Sequence, residues 1–303
     1  MKFLTIRCVP FGTVGSVLSG NAVIRIVAFV GAVLLCSVPL CATRASALPG
    51  GDAPNELVFG GVPRTYVLHV PPGLEQPNGL VINLHGAGMT GGAQAAMTNY
   101  NAVADQHGFV VAYPDGIDLS WADGRGASVP DRQGVDDVGF LVALAQRLSG
   151  DFGVDPGRVF ATGMSAGAFM ANRLACSRAD VFAAIAPVAG TLGSGFPCAP
   201  SQPVSVLEIH GNADNVVPFN GGPMVGRGGP SDIVAAPAMA QRWRDMNGCP
   251  APVEDSPAPS VHRFTSAGCA GGAEVAFIQI DGGGHTWLDA SQASAQFFAT
   301  HGR

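Results

Sequence analysis

The chain has 303 residues, of which 47% are hydrophobic, and its formal net charge is −6 at neutral pH. All 22 acidic residues but only 12 of the 16 basic ones follow position 48, so this later part carries a net charge of −10. Such a charge argues against nucleic acid or an anionic membrane as a partner, and the length suits one large α/β domain.

The first segment, residues 1–47, has the composition of a cleaved signal peptide. Basic residues precede an apolar run at 26–41, and an Ala-Ser-Ala sequence ending at Ala47 predicts cleavage before Leu48. A membrane anchor is the alternative, but a helix over that run would be roughly 24 Å long, short of a hydrocarbon core of about 30 Å. We therefore expect residues 48–303 to form a single secreted domain.

Two short segments at 56–59 and 65–70 predict an antiparallel pair of strands joined by a turn at Gly60-Gly61. After them the pattern changes to nearly continuous apolar runs, which are typical of parallel strands buried on both faces. These runs lie at 80–84, 109–113, 158–163, 183–188, 204–209 and 275–280.

Segments with helical spacing of apolar residues lie between these runs, so strands and helices alternate. The clearest begins with Asp136 and Asp137, whose charges we expect to interact with the helix dipole, and ends at Gly150. The sequence therefore predicts the α/β class, with a mostly parallel sheet flanked by helices. Further helices are predicted at 99–106, 166–176, 233–246 and 291–301.

The most informative motif is Gly-Met-Ser-Ala-Gly at 163–167, where a predicted strand passes directly into a predicted helix. A sharp turn of this kind strains the residue at the bend, and the flanking glycines remove side chains that would collide there. Ser165 would then be exposed at a helix N-terminus, which favours developing negative charge. The motif alone is a weak signal, so a nucleophilic role for Ser165 needs partners elsewhere in the chain.

A serine nucleophile needs a base and an orienting carboxylate, and both are expected after it in the chain, at the carboxyl ends of strands. Asp214 is the favoured acid because the strand at 204–209 runs straight into its Gly/Asn turn. Glu208 lies inside that strand, where we expect it to point to a rim or a salt bridge. Asp136 and Asp137 precede the serine and are therefore out of order.

His285 is the favoured base because the strand at 275–280 leads to it through a loop of glycines. Asp281 begins this loop and is a rival acid, although its closeness to His285 favours a loop-capping role. A single histidine is more often structural than catalytic. The competing histidines lie within early or exposed strands or at the ends of elements: His69, His85, His107, His210, His262 and His301.

An oxyanion hole needs two backbone N–H groups directed at one point. One is expected from Ala166, directly after Ser165. The second is expected from the glycine-containing segment at 84–88, from Ala87 in the first place and Gly88 in the second. An ordinary strand-to-helix turn is the alternative, but four features in this order at strand ends favour a catalytic site. Chemistry of this type requires no metal and no cofactor, and we expect none.

Four cysteines follow the signal segment, and an even number in an exported protein predicts disulfides. They allow three pairings, of which we favour the two nearest in sequence, Cys176–Cys198 and Cys249–Cys269. Each would close a loop of about 20 residues and contribute roughly 3 kcal/mol to stability.

Further motifs accompany these residues, at 84–88, 113–116 with Trp121 downstream, 135–140, 210–218 and 284–287, together with Trp243 and Asn247-Gly248-Cys249. With them the chain resembles the α/β-hydrolase family that groups extracellular poly(3-hydroxybutyrate) depolymerases with feruloyl and acetylxylan esterases. The resemblance covers nearly all of the chain after the signal and implies an α/β-hydrolase fold. It also implies the same triad, Ser165, Asp214 and His285, with oxyanion donors at Ala87 and Ala166, and it supports the second disulfide.

Two departures from this family bear on the substrate. Granule-attacking depolymerases usually resemble one another in a linker and a substrate-binding domain after the catalytic one, and this chain stops at Arg303. About a dozen residues lie between Gly190 and Pro203, too few for a large lid, so an open cleft is expected. Trp121 and Trp287 are expected to stack on an aromatic acyl group or a sugar, with ordinary packing near the cleft rim as the alternative.

The sequence thus predicts a secreted, cofactor-free serine esterase that cleaves short hydroxyalkanoate oligoesters through an acyl-serine intermediate. A feruloyl or acetylxylan esterase acting on plant polysaccharide is the main alternative. Acyl transfer to an alcohol or a peroxide would use the same triad. A non-catalytic binding protein on a hydrolase fold would lack a triad residue, and none is missing. Neither nucleic acid nor stable membrane insertion is expected.

Overall fold

A computed structural model describes residues 50–303, which belong to one compact unit. The predicted signal peptide and its cleavage site lie outside the described residues. No helix within residues 50–303 combines the length and the hydrophobicity that a membrane span requires.

The described residues contain twelve strands, ten of which form one sheet. The strands are β1 Gly51–Phe59, β2 Val62–Val70, β3 Gly79–Leu84, β4 Phe109–Pro114, β5 Val159–Met164, β6 Ala184–Val188, β7 Ser205–Gly211, β8 Gly222–Gly226, β9 Gly229–Ile233, β10 Val253–Ala258, β11 Val261–Ser266 and β12 Val275–Ile280. The order in the large sheet is β1-β2-β4-β3-β5-β6-β7-β12-β11-β10, and β8 and β9 form a separate antiparallel hairpin. The six central strands, from β4 to β12, are parallel, with antiparallel strands at both edges.

Seven α-helices accompany the sheet: α1 Gly91–Thr98, α2 Tyr100–His107, α3 Val129–Gln133, α4 Asp137–Phe152, α5 Ala166–Ser177, α6 Ala236–Met246 and α7 Ala290–Thr300. Two large clusters of buried apolar residues accompany the sheet; α4 and α5 contribute to one, and α2 and α7 to the other. The predicted class, a mostly parallel sheet flanked by helices, is confirmed. Residues 190–203 contain no helix in the structure, as expected for a chain without a large lid there.

The parallel strands lie within two residues of the predicted runs. Nearly all their residues are buried, because helices or loops cover both faces of the sheet. The outer strands β10 and β11 were not predicted as a pair, since every residue of β10 is exposed and the segment has no apolar run. A period-two or continuous apolar pattern arises only where a strand has a face to bury.

Two helix boundaries were predicted wrongly. The helix expected from residue 233 begins at Ala236, because residues 229–233 form β9 and pair with β8. The helix expected to end at Gly150 continues to Phe152 and ends at Gly153, whose φ of 66° is the left-handed conformation that glycine adopts without strain.

The two aspartates at the start of α4 have different roles. Asp136 is the N-cap, and its side chain accepts the N–H of Gly139, as expected for a helix start. Asp137 is instead completely buried; its Oδ1 lies 2.7 Å from Arg64 Nη2, and its Oδ2 accepts the N–H of Ala122 at 2.7 Å. The expectation that Asp137 serves the helix dipole is therefore replaced by a buried ion pair with β2.

Both predicted disulfides are present. Cys176 at the end of α5 is bonded to Cys198, with their Cα atoms 4.9 Å apart. Cys249 after α6 is bonded to Cys269 before β12, with a Cα separation of 4.1 Å. Each bond closes a short loop beside the buried core, which limits the conformations of the unfolded chain.

The strand order reverses direction at β3, which lies between β4 and β5. The chain adds β4 on one side of β3 and then β5 on the other, so the loops after β3 and β5 diverge to opposite faces. A crevice forms at the carboxyl ends of two such strands, and ligands bind there in open α/β sheets. His85 follows β3 and Ser165 follows β5 at this edge.

Candidate active site

Ser165 lies between β5 and α5 in a strained conformation, with φ 55° and ψ −119°. The turn is tight because a Cβ on Gly163 would lie 2.6 Å from the Leu84 carbonyl oxygen, and a Cβ on Gly167 would overlap the same oxygen. A Cβ on Gly190 would lie 2.7 Å from the Ser165 carbonyl oxygen. Only glycine fits at these positions, and the strain at Ser165 is the feature expected of a nucleophile elbow.

Asp214 and His285 are brought together by the neighbouring parallel strands β7 and β12. Asp214 Oδ2 lies 2.8 Å from His285 Nδ1. The loops that carry them are joined by the Ala213 N–H, which donates to the Gly283 carbonyl at 3.0 Å. A base oriented by a buried carboxylate is the arrangement that serine catalysis requires.

The Asp214 carboxylate is fixed on its other side as well. Its Oδ1 accepts the backbone N–H groups of Val216 and Val217, each at 2.9 Å. Burial opposes its charge, but hydrogen bonding to His210 and His285 outweighs this effect and holds the pKa of Asp214 well below its usual range. The carboxylate is therefore ionised at neutral pH.

Ser165 stands at the same edge of the sheet, two strands from β7. Within residues 50–303 its hydroxyl is not hydrogen-bonded to His285, so the nucleophile and the base would close their contact when substrate enters. Such contacts are often long in a free enzyme and tighten in the substrate complex.

The segment after β3 distinguishes between the two candidate oxyanion donors. The Gly88 N–H already donates to the Leu119 carbonyl at 2.8 Å. Neither the Ala87 nor the Ala166 N–H has a backbone partner among the described residues. Ala87 is therefore the better candidate of the two, together with Ala166 at the first position of α5.

His85 is completely buried beneath this segment, where it serves as a structural residue. Its Nε2 accepts the Gly116 N–H at 2.9 Å, and its Nδ1 lies 2.8 Å from the Gly86 carbonyl oxygen. These partners require a neutral ring with the proton on Nδ1, and burial lowers the pKa of His85 in agreement. The ring thereby joins the backbone directly before Ala87 to the loop after β4.

Both tryptophans predicted to contact substrate are buried instead. Trp121 is fully buried, and its indole N–H donates to the His85 carbonyl at 2.9 Å. Trp287 is 5% exposed, and its indole N–H donates to Ser291 Oγ at 2.8 Å. The structure therefore does not agree with the prediction that these rings stack on a substrate. Their faces pack in the core, and their N–H groups have buried partners.

Sequence reasoning missed two features beside Asp214 and Ala87. Glu208 does not point to a rim: it is completely buried, 3.8 Å from His210 Nδ1, and His210 in turn approaches Asp214. Arg227, at the tip of the β8–β9 hairpin, lies beside Gly88 and 3.5 Å from Asp118. The Glu-x-His spacing within a strand places both side chains on one face and was the available signal for the first feature.

Comparison with known protein families assigns most of this chain to one of them. Residues 64–251 match the family model described as "Esterase PHB depolymerase", a stretch that includes Ser165 and Asp214. The chain belongs to this family. His285 lies beyond the matched stretch, so its assignment depends on its contact with Asp214.

Curated relatives of this family member are named as esterases. NocK, a candidate esterase of Nocardia uniformis subsp. tsuyamanensis, is 33% identical over 253 residues, covering 77% of this chain and 73% of NocK. Feruloyl esterase B of Piromyces equi is 32% identical over 239 residues, covering 73% of this chain but only 42% of the relative.

Solved structures show the fold. An acetyl xylan esterase from Aspergillus awamori superposes with a TM-score of 0.58 at 17% sequence identity, covering 81% of this chain and 98% of that one. Together with the strand order, this likeness confirms the predicted α/β-hydrolase fold.

Proposed function

We propose that this esterase acts through Ser165 as nucleophile, His285 as base and Asp214 as the orienting carboxylate. The 2.8 Å contact between His285 Nδ1 and Asp214 Oδ2, beside a strained serine at the same sheet edge, carries the proposal. The chain order of nucleophile, acid and base supports it.

In the first half-reaction, Ser165 Oγ bonds to the ester carbonyl carbon while His285 Nε2 takes the hydroxyl proton. The N–H groups of Ala87 and Ala166 stabilise the oxyanion, and the C–O bond to the alcohol breaks as His285 returns its proton to the leaving oxygen. Water then attacks the acyl-serine, giving one proton to His285. That proton passes to Ser165 Oγ as the carboxylic acid leaves, which restores the starting enzyme.

Aliphatic hydroxyalkanoate oligoesters are the substrates we propose. A groove of about 520 Å³ begins at Asn215, next to Asp214, and continues along the β8–β9 hairpin. Val216 and Val225 are 52% and 79% exposed in it, and none of its lining residues is charged. An uncharged, apolar groove suits a flexible aliphatic chain. The lining residues are Asn215, Val216, Pro218, Pro223, Met224, Val225 and Pro230.

Feruloyl or acetylxylan ester hydrolysis is the second candidate, favoured by the names of the relatives. The burial of Trp121 and Trp287 counts against it, because neither ring is available to stack on an aromatic acid or a sugar. A panel of p-nitrophenyl acetate, 3-hydroxybutyrate trimer, methyl ferulate and acetylated xylan separates the two candidates. We expect the trimer to be cleaved with the highest kcat/KM.

The nucleophile is tested by Ser165→Ala on the same panel. We expect kcat to fall by roughly 10⁴-fold or more, with the folded structure retained. Ser194→Ala, on a loop that pairs with Asp232, is the matched control and should keep full activity. Equal turnover by Ser165→Ala and wild type would rule out the proposed triad.

The groove is tested by Val225→Asp, with Val253→Asp on the edge strand β10 as control, since Val253 is also highly exposed. Removing one apolar contact and adding a charge should cost about 1 kcal/mol in binding, or roughly a fivefold rise in KM for the trimer. p-Nitrophenyl acetate is too short to reach the groove and should be unaffected. A rise in KM for both substrates, or for neither, would contradict this assignment of the groove.

We further propose export and one catalytic domain over residues 48–303. The two disulfides support an oxidising compartment, and the predicted signal at 1–47 supports secretion. N-terminal sequencing of protein recovered from a culture medium or periplasm is expected to begin at Leu48. Recovery of only uncleaved chain from the cytoplasm would contradict export.

A further inference from the structure

A chain of ionisable groups continues from the active site into the core. His210 Nε2 lies 3.5 Å from Asp214 Oδ2, the oxygen that also contacts His285. On the other side of the ring, His210 Nδ1 lies 3.8 Å from Glu208 Oε1. Both Glu208 and His210 are completely buried. The proposed mechanism uses neither of them.

This pair is unusual because its polar atoms lack full hydrogen bonding. His210 Nδ1 and both carboxylate oxygens of Glu208 are buried without a hydrogen-bond partner. His210 Nδ1 and Glu208 Oε1 lie 3.8 Å apart, just beyond hydrogen-bond distance. Buried polar groups without partners are rare and costly in native proteins, so a pair retained behind a proposed catalytic carboxylate calls for a role.

The protonation of His210 follows from its contacts. Its Nε2 lies 3.0 Å from the Val217 carbonyl oxygen, an acceptor, so this nitrogen carries a proton. Burial opposes a second proton, but attraction to the nearby carboxylates of Asp214 and Glu208 outweighs burial and raises the pKa of His210 to about 9. At neutral pH the ring is therefore a cation next to Asp214.

A cation in this position has a cost for catalysis. His285 becomes positively charged when it accepts the serine proton, and Asp214 stabilises that charge. His210 partly cancels the charge of Asp214, so a second negative charge behind His210 is needed to restore the field at His285. Glu208 is placed to supply it.

We propose that Glu208 and His210 are positioning residues of the esterase: His210 fixes the Asp214 carboxylate, and Glu208 restores the net negative charge that supports His285 during turnover. This inference rests on the proposed triad. Among residues 50–303, the titratable neighbours are Asp214 beside His210 and His285 beside Asp214, while the neutral side chains of Asn172 on α5 and Phe219 after β7 lie beside Glu208 and His210.

The ionisation of Glu208 then becomes part of the activity profile. Burial raises the pKa of Glu208 to about 7, although the nearby His210 ring and Asn172 side chain oppose the rise. Above that pH the three side chains of Glu208, His210 and Asp214 together carry one net negative charge. Below it, protonated Glu208 is neutral and their net charge is zero. Activity should therefore rise through neutral pH as Glu208 loses its proton.

The test compares the pH dependence of kcat/KM for p-nitrophenyl acetate in three variants. Glu208→Gln keeps the shape but removes the charge, so the His285 imidazolium is less stabilised, and the acidic limb should move to lower pH by about half a unit, with kcat reduced. His210→Gln combined with Glu208→Gln removes both charges, and the acidic limb should return to the wild-type position. Glu274→Gln, a carboxylate near His301, is the matched control and should leave the profile unchanged.

A purely structural pair would lower the unfolding temperature of these variants without moving the acidic limb. The same limb in Glu208→Gln as in wild type, or an equal shift in the single and double variants, would overturn the inference. If the variants fail to fold, ¹⁵N NMR of the wild-type histidines decides: we expect His210 to remain doubly protonated from pH 5 to 8, and a neutral ring at pH 7 would overturn it. If wild type and Ser165→Ala had equal turnover, that result would instead reject the triad itself.

Discussion

Replacing Trp121 with phenylalanine tests how firmly residues 84–88, here called the oxyanion segment because they include Ala87, must be held in place. The substitution keeps an aromatic ring in the core but removes the indole N–H that donates to the His85 carbonyl at 2.9 Å. The carbonyl is then buried without this partner, which costs about 1–3 kcal/mol of stability. Because this carbonyl lies two residues before Ala87, the loss should also loosen one oxyanion donor.

A fully lost oxyanion donor costs about 2.7–4 kcal/mol in kcat. Trp121→Phe removes one of several contacts to the segment, since His85 still bonds Gly86 and the Gly88 N–H still bonds Leu119. We expect about a third to a half of the full effect, or roughly a tenfold fall in kcat with KM little changed.

The assay measures kcat and KM on p-nitrophenyl acetate together with the unfolding temperature. Tyr100→Phe is the control, because it removes a different buried polar group, a hydroxyl that is hydrogen-bonded to Ser294 between α2 and α7 and not to residues 84–88. If Trp121→Phe loses stability like the control but keeps kcat within about twofold of wild type, Ala87 is not held through this contact and the reasoning is refuted.

Three further outcomes concern stability. Arg64→Met leaves the Asp137 carboxylate buried without its ion-pair partner and should lower the free energy of urea unfolding by about 3–5 kcal/mol. An unchanged midpoint would show that the ion pair is not needed. The double variant Cys249→Ser, Cys269→Ser should lose roughly 3 kcal/mol of unfolding free energy, measured by the same urea denaturation. An unchanged unfolding free energy would argue against the disulfide. His210 has a raised pKa, so its stabilising effect is complete below its unfolded pKa of about 6.5 and is lost as pH rises through about 9. Unfolding free energies from pH 6 to 10 should fall accordingly, and a rise would contradict the assignment.

The fold could be predicted where burial shapes the sequence on both faces. The run at 275–280 matches β12 without error, because the first half of the strand is fully buried and the rest is only partly exposed, so apolar residues predominate along it. The β8–β9 hairpin could not be found this way, since most of its residues are exposed or half-buried and it is rich in glycine and proline. Its existence depends on contacts such as Arg132 with the Gly228 carbonyl, which join residues distant in sequence.

The candidate site also contains residues that could be predicted from the sequence and residues that could not. Ser165, Asp214 and His285 follow strands at one sheet edge, so chain order and strand ends were enough to propose them. The roles of Trp121 and Glu208 depend on which way a side chain points and on what lies beneath it. A tryptophan near a cleft reads alike in sequence whether its ring faces solvent or the core, and only packing decides.

The β8–β9 hairpin has a consequence for how this enzyme could change. It connects β7 to α6 without joining the ten-stranded sheet, and it pairs only with itself and, through Ile233, with Gly193. Met224 and Ile233 pack in a buried cluster, but the exposed side chains of the hairpin can vary while the strands that carry Asp214 and His285 keep their places. A laboratory library confined to the exposed residues Pro223, Val225 and Pro230 would explore new substrate preferences at little risk to the fold, which makes this hairpin a good place to begin re-engineering the enzyme.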